Sequence, residues 1–286
     1  MTPANKKIIV ELERKHMPVL FDHCRAHFAG HHLPSHDHLH HLRVWYYTRE
    51  LLLSEPYIFE HLSSNEVMPL MLSAFFHDTG LTITLSEKHG VESRKICQNF
   101  LAENPEMVFP NVNQALSAIE FHDQKEPEMS SLTSSETSTL KLLSICDDID
   151  AYGAIGVLRY AEIYLLRGIS IASLPGRVIK NLSSRFNHIS SQDWIPEMFL
   201  AKHRSRYHYA IKFYQVMQKQ QIARDKSQFN SQILESYMTD VYYGKMGIPD
   251  FAGSIINDGN PVKKEFATVL FNDLKPGRGE VFNFNR

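Results

Sequence analysis

Apolar side chains recur every three or four residues along most of the chain, the period of helices that bury one face. The pattern includes Ile8, Ile9, Leu12, Leu20 and Phe21, then Leu39, Leu42, Val44, Tyr47 and Leu51, then Leu140, Leu142, Leu143 and Ile145. No segment alternates apolar and polar residues for long enough to predict a strand. The pattern therefore predicts an all-α protein.

Glycine, proline and short polar residues interrupt this pattern and divide the chain into about ten predicted helices. The predicted boundaries are Gly30–Pro34, Glu55-Pro56, Thr79–Thr84, Asn104–Pro110, Glu126–Ser138, Gly168–Pro175 and Ser190–Pro196. Among these helices, periodicity predicts one at 205–222 and one at 231–243. Residues 245–286 are rich in Gly, Pro, Asn and Asp, so we expect an irregular tail that either wraps the domain or packs on a partner.

The length of 286 residues and the hydrophobic content of 43% allow a large buried core. We expect residues 1–222 to form one helical domain. Residues 223–286 would add a C-terminal helix and an irregular extension packed on the same domain.

The charge is nearly balanced, with 30 basic and 32 acidic residues and a formal net charge of −2. A general nucleic-acid binder would show a basic excess, so none is expected. The cysteines Cys24, Cys97 and Cys146 are far apart and form no CxxC pair. They predict buried thiols in a reducing compartment rather than disulfides or a thiolate zinc site.

The N-terminus "MTPANKKIIVELERKH" lacks the apolar run of a signal peptide. The longest apolar stretch, Val67–Phe76, is far shorter than the roughly 18 residues that span a bilayer. We therefore expect a cytoplasmic protein with no membrane association. Secretion by a route without a cleavable signal stays open.

Histidine and aspartate stand together at several points along the predicted helices. The segments are "SHDHLHHLRVW" with His36, His38, His40 and His41, "LSAFFHDTG" with His77 and Asp78, "KHG" with His89, "EFHD" with His122 and Asp123, and "ICDDID" with Asp147, Asp148 and Asp150. Imidazole and carboxylate together suit borderline to hard divalent cations. Helices that deliver these side chains to one place would form a metal site with open positions.

The order His, then His-Asp, then Asp, each on its own predicted helix, resembles the HD-domain metal-dependent phosphohydrolase superfamily, whose signature is H…HD…D. "SHDHLHHLRVW" is similar to the first-ligand helix of that family, where the ligating His stands three residues before an Arg and four before a Val. Counting back from Arg43 and Val44 selects His40. "SAFFHDTG" matches the apolar helix that ends in His-Asp and a turn.

Two further segments extend the resemblance to about residues 35–160. "KHGVESRKICQNFL" resembles the following family helix, with His89 four residues before Ser93. "ICDDIDAYGAIGVLR" is similar to the stretch D-x-x-D-A-x-G-x-x-G-x-x-R of small bacterial HD nucleotide phosphohydrolases. This alignment makes Asp147 the last ligand.

The resemblance implies an HD-domain helical bundle with additional C-terminal helices, and it implies a metal site. Its ligands would be His40, His77, Asp78 and Asp147, holding one divalent ion of Mn, Mg, Fe, Co or Ni. A second ion stays open, because His89 and His122 could bind it, contact phosphate or water, or be structural.

The resemblance also implies roles in catalysis and substrate binding. Asp78, His89 and His122 are the predicted catalytic residues, and Arg43, Lys88 and Arg159 are the predicted substrate-binding residues. Arg43 and Lys88 could equally be solvated charges or helix-stabilising pairs, and Arg159 could instead pack against Asp148 or Asp150. Asp37 is a candidate to orient a ligand histidine.

The expected function is a metal-dependent phosphohydrolase that acts on a nucleotide or related small phosphate ester through a metal-activated water. One alternative is an enzyme that uses the same metal ligands for a non-hydrolytic reaction, either an HD-fold lyase or hydratase or a di-iron oxygenase. Another is a regulatory or interaction protein with a vestigial metal site. The expected partner is a small phosphate substrate, and both its identity and homodimer formation stay open.

Overall fold

The computed structural model describes residues 3–54, 63–123, 134–224 and 228–275. Within those residues it contains twelve α-helices and no strand, which confirms the predicted all-α class. The helices are α1 (Pro3–Phe28), α2 (His38–Ser54), α3 (Ser64–Phe76), α4 (His89–Glu103), α5 (Val112–Phe121), α6 (Ser134–Asp150), α7 (Gly153–Leu166), α8 (Leu174–Ser190), α9 (Glu197–Ile222), α10 (Phe229–Ser236), α11 (Ile248–Ile256) and α12 (Pro261–Asp273).

Helix α3 lies at the centre of the N-terminal part of the molecule. Every residue from Val67 to Phe76 is buried, as expected for a helix that is apolar on all sides. It packs against α1, α2, α5 and α6. The side chain of Glu66 accepts the backbone N–H of Ser63 at 2.8 Å and so caps the helix start. With α4, which it also contacts, α3 therefore lies among five of the described helices.

The second half of the chain packs around α7. Helices α9 and α12 both contact α7, α8 packs on α9, and α11 packs on α12. A π-helical segment, Tyr237–Tyr243, follows α10 directly and also contacts α7. Helix α7 is therefore the element that most of the C-terminal helices share as a packing partner. The division at residue 222 stays a prediction.

The expectation of an irregular tail from residue 245 is wrong as far as residue 275, because α11 and α12 lie there. The residues that suggested irregular backbone are helix starts. Asn260 caps α12 by accepting the N–H groups of Val262 and Lys263 at 2.9 and 3.3 Å. Pro261 occupies the first turn, where its missing N–H costs nothing.

The other predicted boundaries agree in most places with the described helices. Gly30–Pro34, Asn104–Pro110 and Ser190–Pro196 fall at gaps between helices, and a short 3-10 turn occupies Thr79–Thr82. Helix α6 begins at Ser134, inside the stretch expected to be a polar boundary. Glu55-Pro56, residues 124–133 and residues 276–286 lie outside the described part of the chain.

Two further expectations concern burial and the bilayer. Cys24, Cys97 and Cys146 are buried free thiols, as predicted. Burial raises the pKa of all three thiols, so they are inert hydrophobic side chains here. Among the described helices none combines the length and the hydropathy that a bilayer crossing needs.

Candidate metal centre

His77 and Asp78 follow the last residue of α3 and enter the turn at Thr79–Thr82. The Nδ1–H of His77 donates to the carbonyl of Ala74 at 3.1 Å. This bond fixes the ring and leaves Nε2 as a free acceptor. Both side chains are buried, so the apolar helix delivers two polar groups into the interior.

Gly80 allows the N-terminus of α4 to lie against this turn. A Cβ at residue 80 would lie 2.0 Å from the carbonyl oxygen of His89, so only glycine fits. The N–H of Gly80 donates to Oγ of Ser93 at 2.7 Å. Ser93, the small residue four positions after His89, therefore has a structural role. Its contact with Gly80 holds the start of α4, and with it His89, beside Asp78.

Four predicted ligands meet at the end of α3. Their donor atoms are Nε2 of His40 and His77, Oδ2 of Asp78 and Oδ1 of Asp147, all within 4.8 Å of one another. The two Nε2 atoms are 3.0 Å apart, and His40 Nε2 lies 3.3 Å from Asp78 and 3.5 Å from Asp147. Ligands bound to one ion at about 2.0–2.2 Å stand about 3 Å apart, so the donor set can hold a divalent ion.

His40 is oriented by Asp150. Its Nδ1–H donates to Oδ2 of Asp150 at 2.8 Å, which directs Nε2 toward the other donors. Asp150 is itself held by Arg43, with Nε at 2.8 Å and Nη2 at 3.0 Å. Asp37 accepts the backbone N–H of Leu39 at the start of α2 and lies 3.7 Å from Nδ1 of His38, so a role in orienting a ligand histidine stays a prediction.

A second donor cluster lies on the other side of Asp78. Its Oδ1 is 3.1 Å from Nε2 of His122 and 3.2 Å from Nε2 of His89. The Nδ1–H groups of these histidines donate to the carbonyls of Ile119 and Ser86. Asp78 therefore carries one carboxylate oxygen toward each cluster, and the two clusters together offer seven donor positions with Asp78 counted in both.

The charges in the two clusters are set by burial and by these contacts. Burial opposes ionisation of Asp78, but the charge of His77 and hydrogen bonds from three histidines hold its pKa well below the usual range. For Asp147 burial acts in the same way and is overcome chiefly by Arg159, so its pKa also lies well below normal. Burial lowers the pKa of His77, which favours the neutral, ligating imidazole.

His122 differs from His77 in the direction of its pKa shift. Burial would lower its pKa, but the hydrogen bond and the charge of Asp78 raise the pKa to about 9. His122 therefore carries a positive charge at neutral pH even without an ion, opposite the negative charge of Asp78. A metal ion bound there would take the place of that proton.

A cavity of about 370 Å³ opens onto both clusters. Asp78, His89, His122, Asp147 and Arg159 lie on its inner side. The remaining lining residues are His36, Leu81, Glu87, Asp123, Ala151, Tyr160, Ile163, Tyr164, Arg167, Asn181 and Arg185. Its size lies in the range of small-molecule sites, about 300–1,000 Å³.

The three predicted substrate-binding residues differ in their position relative to this cavity. Arg159 lines the cavity, and its Nη2 donates to Oδ1 of Asp147 at 3.0 Å and lies 3.2 Å from Nε2 of His40. Arg43 is buried against Asp150 and does not line this cavity. Lys88 is exposed and is also absent from the lining. Of the three, only Arg159 is close to the predicted ligands.

Several cavity residues were missed by sequence reasoning. Arg185 of α8 pairs with Asp148 and lies 3.9 Å from Oδ2 of Asp147. Asn181, one turn earlier, accepts from Arg185 and from the hydroxyl of Tyr160. No motif pointed to α8, which shows only an amphipathic pattern. Asp150 could have been found, because it stands one turn after Asp147 in "ICDDID".

His36 was assigned no role, yet it lines the cavity. Its Nδ1 lies 3.1 Å from Oε1 of Glu162, a carboxylate with no solvent exposure. Glu162 also accepts the backbone N–H of Ser35 and the hydroxyl of Tyr237. The buried carboxylate thus fixes the His36 ring at one wall of the cavity.

Comparison with known proteins gives one match. Residues 21–145 match the family model described as HD-CE. No curated protein and no solved structure matches the chain. The matched segment contains the first three predicted ligands and ends two residues before the fourth. The match and the buried His/Asp cluster together identify residues 21–145 as a domain of the HD type.

Proposed function

We propose that the protein is a metal-dependent phosphohydrolase that acts on a nucleotide or a related small phosphate ester. The proposal rests chiefly on one observation: two donor clusters share Asp78 at the inner end of a cavity that also presents Arg159 and Arg185. Ions bound to the carboxylates would leave the two guanidinium groups free to attract an anion. Phosphate is the anion that bidentate guanidinium groups recognise well.

His40, His77, Asp78 and Asp147 would hold the first ion. An ion in this position supplies an activated water nucleophile near neutral pH and neutralises charge on phosphoryl oxygens. The residues themselves contribute preorganisation, because Asp150 and the Ala74 carbonyl fix the two imidazole rings before substrate binds. Burial of the cluster removes bulk water, which strengthens each electrostatic contact.

His89 and His122 support the proposal in either of two ways. Their Nε2 atoms face Oδ1 of Asp78, so with Asp78 as a bridge they could hold a second ion. With a single ion they would donate hydrogen bonds to a phosphoryl or leaving-group oxygen. The first role is favoured here, because the rings are fixed with Nε2 toward a carboxylate.

A screen of nucleotides and phosphate esters with Mn, Mg, Co and Ni tests the proposal. It should be run beside metal analysis of protein purified without chelator. We expect hydrolysis that chelator abolishes and that His77→Ala also abolishes, because both remove the ion. His188→Ala is the matched control, since His188 is exposed at the end of α8.

Three results would contradict the proposal. Full activity of His77→Ala would remove the metal centre from the reaction. Inactivity across the whole panel, with no bound metal, would favour a regulatory or interaction protein with a vestigial site. Isolation with two irons and a visible absorption band would favour the oxygenase alternative, to which the second cluster with its bridging carboxylate also lends support.

A further inference from the structure

The junction between α6 and α7 is capped by residues far away in the chain. Helix α7 begins after Tyr152, which offers no side-chain cap of its own. Instead Oδ2 of Asp273, at the end of α12, accepts the N–H groups of Ala154 and Ile155 at 2.6 and 3.2 Å. A carboxylate in this place satisfies unpaired N–H groups and opposes the positive end of the helix dipole.

The carbonyl groups on the other side of the junction bind Arg206 of α9. Its Nη1 donates to the carbonyl of Ile149 at 3.1 Å and its Nη2 to that of Tyr152 at 3.1 Å. Its Nε donates to Oδ1 of Asp273 at 2.9 Å. One ion pair thus binds both the carbonyls that end α6 and the N–H groups that begin α7.

Gly153 shows that this contact is built into the junction. Its φ is +75°, a conformation that residues with a Cβ rarely adopt. A Cβ there would also lie 2.2 Å from Oδ2 of Asp273. The Asp273 carboxylate therefore fits against the junction only because residue 153 is glycine.

The junction connects residues of the metal centre. Asp147 and Asp150 lie on the last turns of α6, and Arg159 lies on α7 in contact with Asp147. The guanidinium of Arg206 also lies 5.1 Å from the ring centre of Tyr47, on the helix that carries His40. A shift of the junction would therefore change the position of Asp147 and Arg159 relative to His40.

We infer that Arg206 and Asp273 are positioning residues for the metal centre: the ion pair between α9 and α12 clamps the α6–α7 junction and sets the geometry of Asp147 and Arg159. Neither residue belongs to the two donor clusters. This inference rests on the proposed metal site. It also gives the C-terminal helix α12 a functional role that does not require a partner.

The test compares Asp273→Asn with Asp258→Asn in the chain of 286 residues. Asp258 is the matched control, because its exposed carboxylate pairs with Lys263 in the first turn of α12, whereas that of Asp273 accepts N–H groups of α7. Three quantities are measured: Mn²⁺ affinity of chelator-treated protein, the EPR spectrum of bound Mn²⁺, and amide hydrogen exchange at residues 147–159 without metal. The EPR spectrum of bound Mn²⁺ reports on ligand geometry.

For Asp273→Asn we expect about tenfold weaker Mn²⁺ binding and an altered EPR spectrum, because supporting contacts of ligands have effects of this size. We expect exchange at Ala154 and Ile155 to be about fivefold faster, as for a lost helix cap. Asp258→Asn should match the unmodified protein in each measurement. If Asp273→Asn does not fold, Arg206→Lys takes its place, since lysine keeps the charge and loses the fork to two carbonyls.

Two results would overturn the inference. Unchanged exchange at the junction would show that the pair does not clamp it. Faster exchange with unchanged Mn²⁺ affinity and an unchanged EPR spectrum would show a contact with no effect on the metal centre. Failure of the proposed function is distinguishable, because it would appear as absence of chelator-sensitive hydrolysis in the unmodified protein, whereas exchange and Mn²⁺ binding of Asp273→Asn against the unmodified protein decide whether the clamp acts on the metal centre.

Discussion

The two oxygens of the Asp78 carboxylate face two different environments. Oδ2 faces His40, His77 and Asp147, a four-donor cluster that lies among buried helices. Oδ1 faces His89 and His122 on the inner wall of the cavity. In the four-donor cluster the buried charges of Asp150 and Arg43 hold His40, whereas in the three-donor cluster backbone carbonyls hold the Nδ1 atoms of both histidines.

This difference predicts two metal sites of unequal affinity. In the four-donor cluster both imidazole rings are fixed, and Asp150 holds His40 with Nε2 toward the other donors. In the three-donor cluster His122 must lose a proton before it can ligate, and the open cavity allows water to compete. We therefore expect a tight first ion and a weaker, exchangeable second ion.

Asp78→Asn should have the largest effect, because Asp78 is the only residue common to both clusters. The amide would place donors against histidine nitrogens and remove the bridging charge. We expect loss of both ions and a fall in hydrolysis of about a thousandfold or more, since metal activation supplies several kcal/mol. Metal analysis and initial rates measure this.

Asp123→Asn is the control for that substitution. Asp123 also lines the cavity and follows a histidine, but it is exposed and belongs to neither cluster. It should retain both ions. Retention of a full metal complement by Asp78→Asn would contradict the bridging role.

Asp150→Asn should weaken the first site and the fold together. Asp150 has no solvent exposure, and it is the only hydrogen-bond partner of the Arg43 guanidinium among the described residues. Removing one charge of a buried pair costs about 3–5 kcal/mol, because the other charge is left uncompensated. Denaturant unfolding should show this loss, and metal titration should show weaker binding at the first site only.

The double variant Arg43→Met with Asp150→Asn separates these two effects. Removing both charges should recover much of the free energy of unfolding. It should not recover metal affinity, because His40 still lacks its carboxylate partner. Recovery of both quantities together would show that Asp150 acts only on stability.

His122→Gln should affect the second site alone. Glutamine remains polar but does not reproduce the imidazole Nε2 that faces Oδ1 of Asp78. We expect affinity for the weaker ion to fall by about 10–100-fold while the tighter ion is retained. Metal titration with the exposed His188→Ala variant as control tests this. Equal loss of both ions would remove the distinction between the two clusters.

The four-donor cluster could be predicted from the sequence because each ligand lies in a short local motif. His40 is identified by Arg43 and Val44, and Asp78 by the apolar helix before it. The residues that hold these ligands could not be predicted in the same way. Arg206 and Asp273 meet only after the chain has folded, 67 positions apart, and nothing in their neighbouring residues marks them.

The same limit applies to the fold. Helix α3 was predictable, because its apolar run is long and buried on all sides. Helices α11 and α12 were missed because the Gly, Pro, Asn and Asp content of residues 245–286 predicts irregular backbone. In the structure Pro249, Asn260 and Pro261 stand where these two helices begin. Composition alone does not distinguish irregular backbone from a helix start. The packing of α12 on α7, which the local sequence does not reveal, stabilises the helix in this case.

The smallest effect is expected for Lys88→Ala, which tests how far the cavity extends beyond the second cluster. Lys88 precedes His89, but its side chain is exposed and absent from the cavity lining. Removal of this solvated lysine should change KM by less than about twofold, since exposed charges contribute about 0–1 kcal/mol. Arg159→Lys is the contrasting variant and should raise KM more than Lys88→Ala does. Arg159 lines the cavity, and lysine there lacks the fork geometry of the guanidinium group. A large rise in KM for Lys88→Ala alone would place the phosphate outside the cavity, on the α4 side of the three-donor cluster.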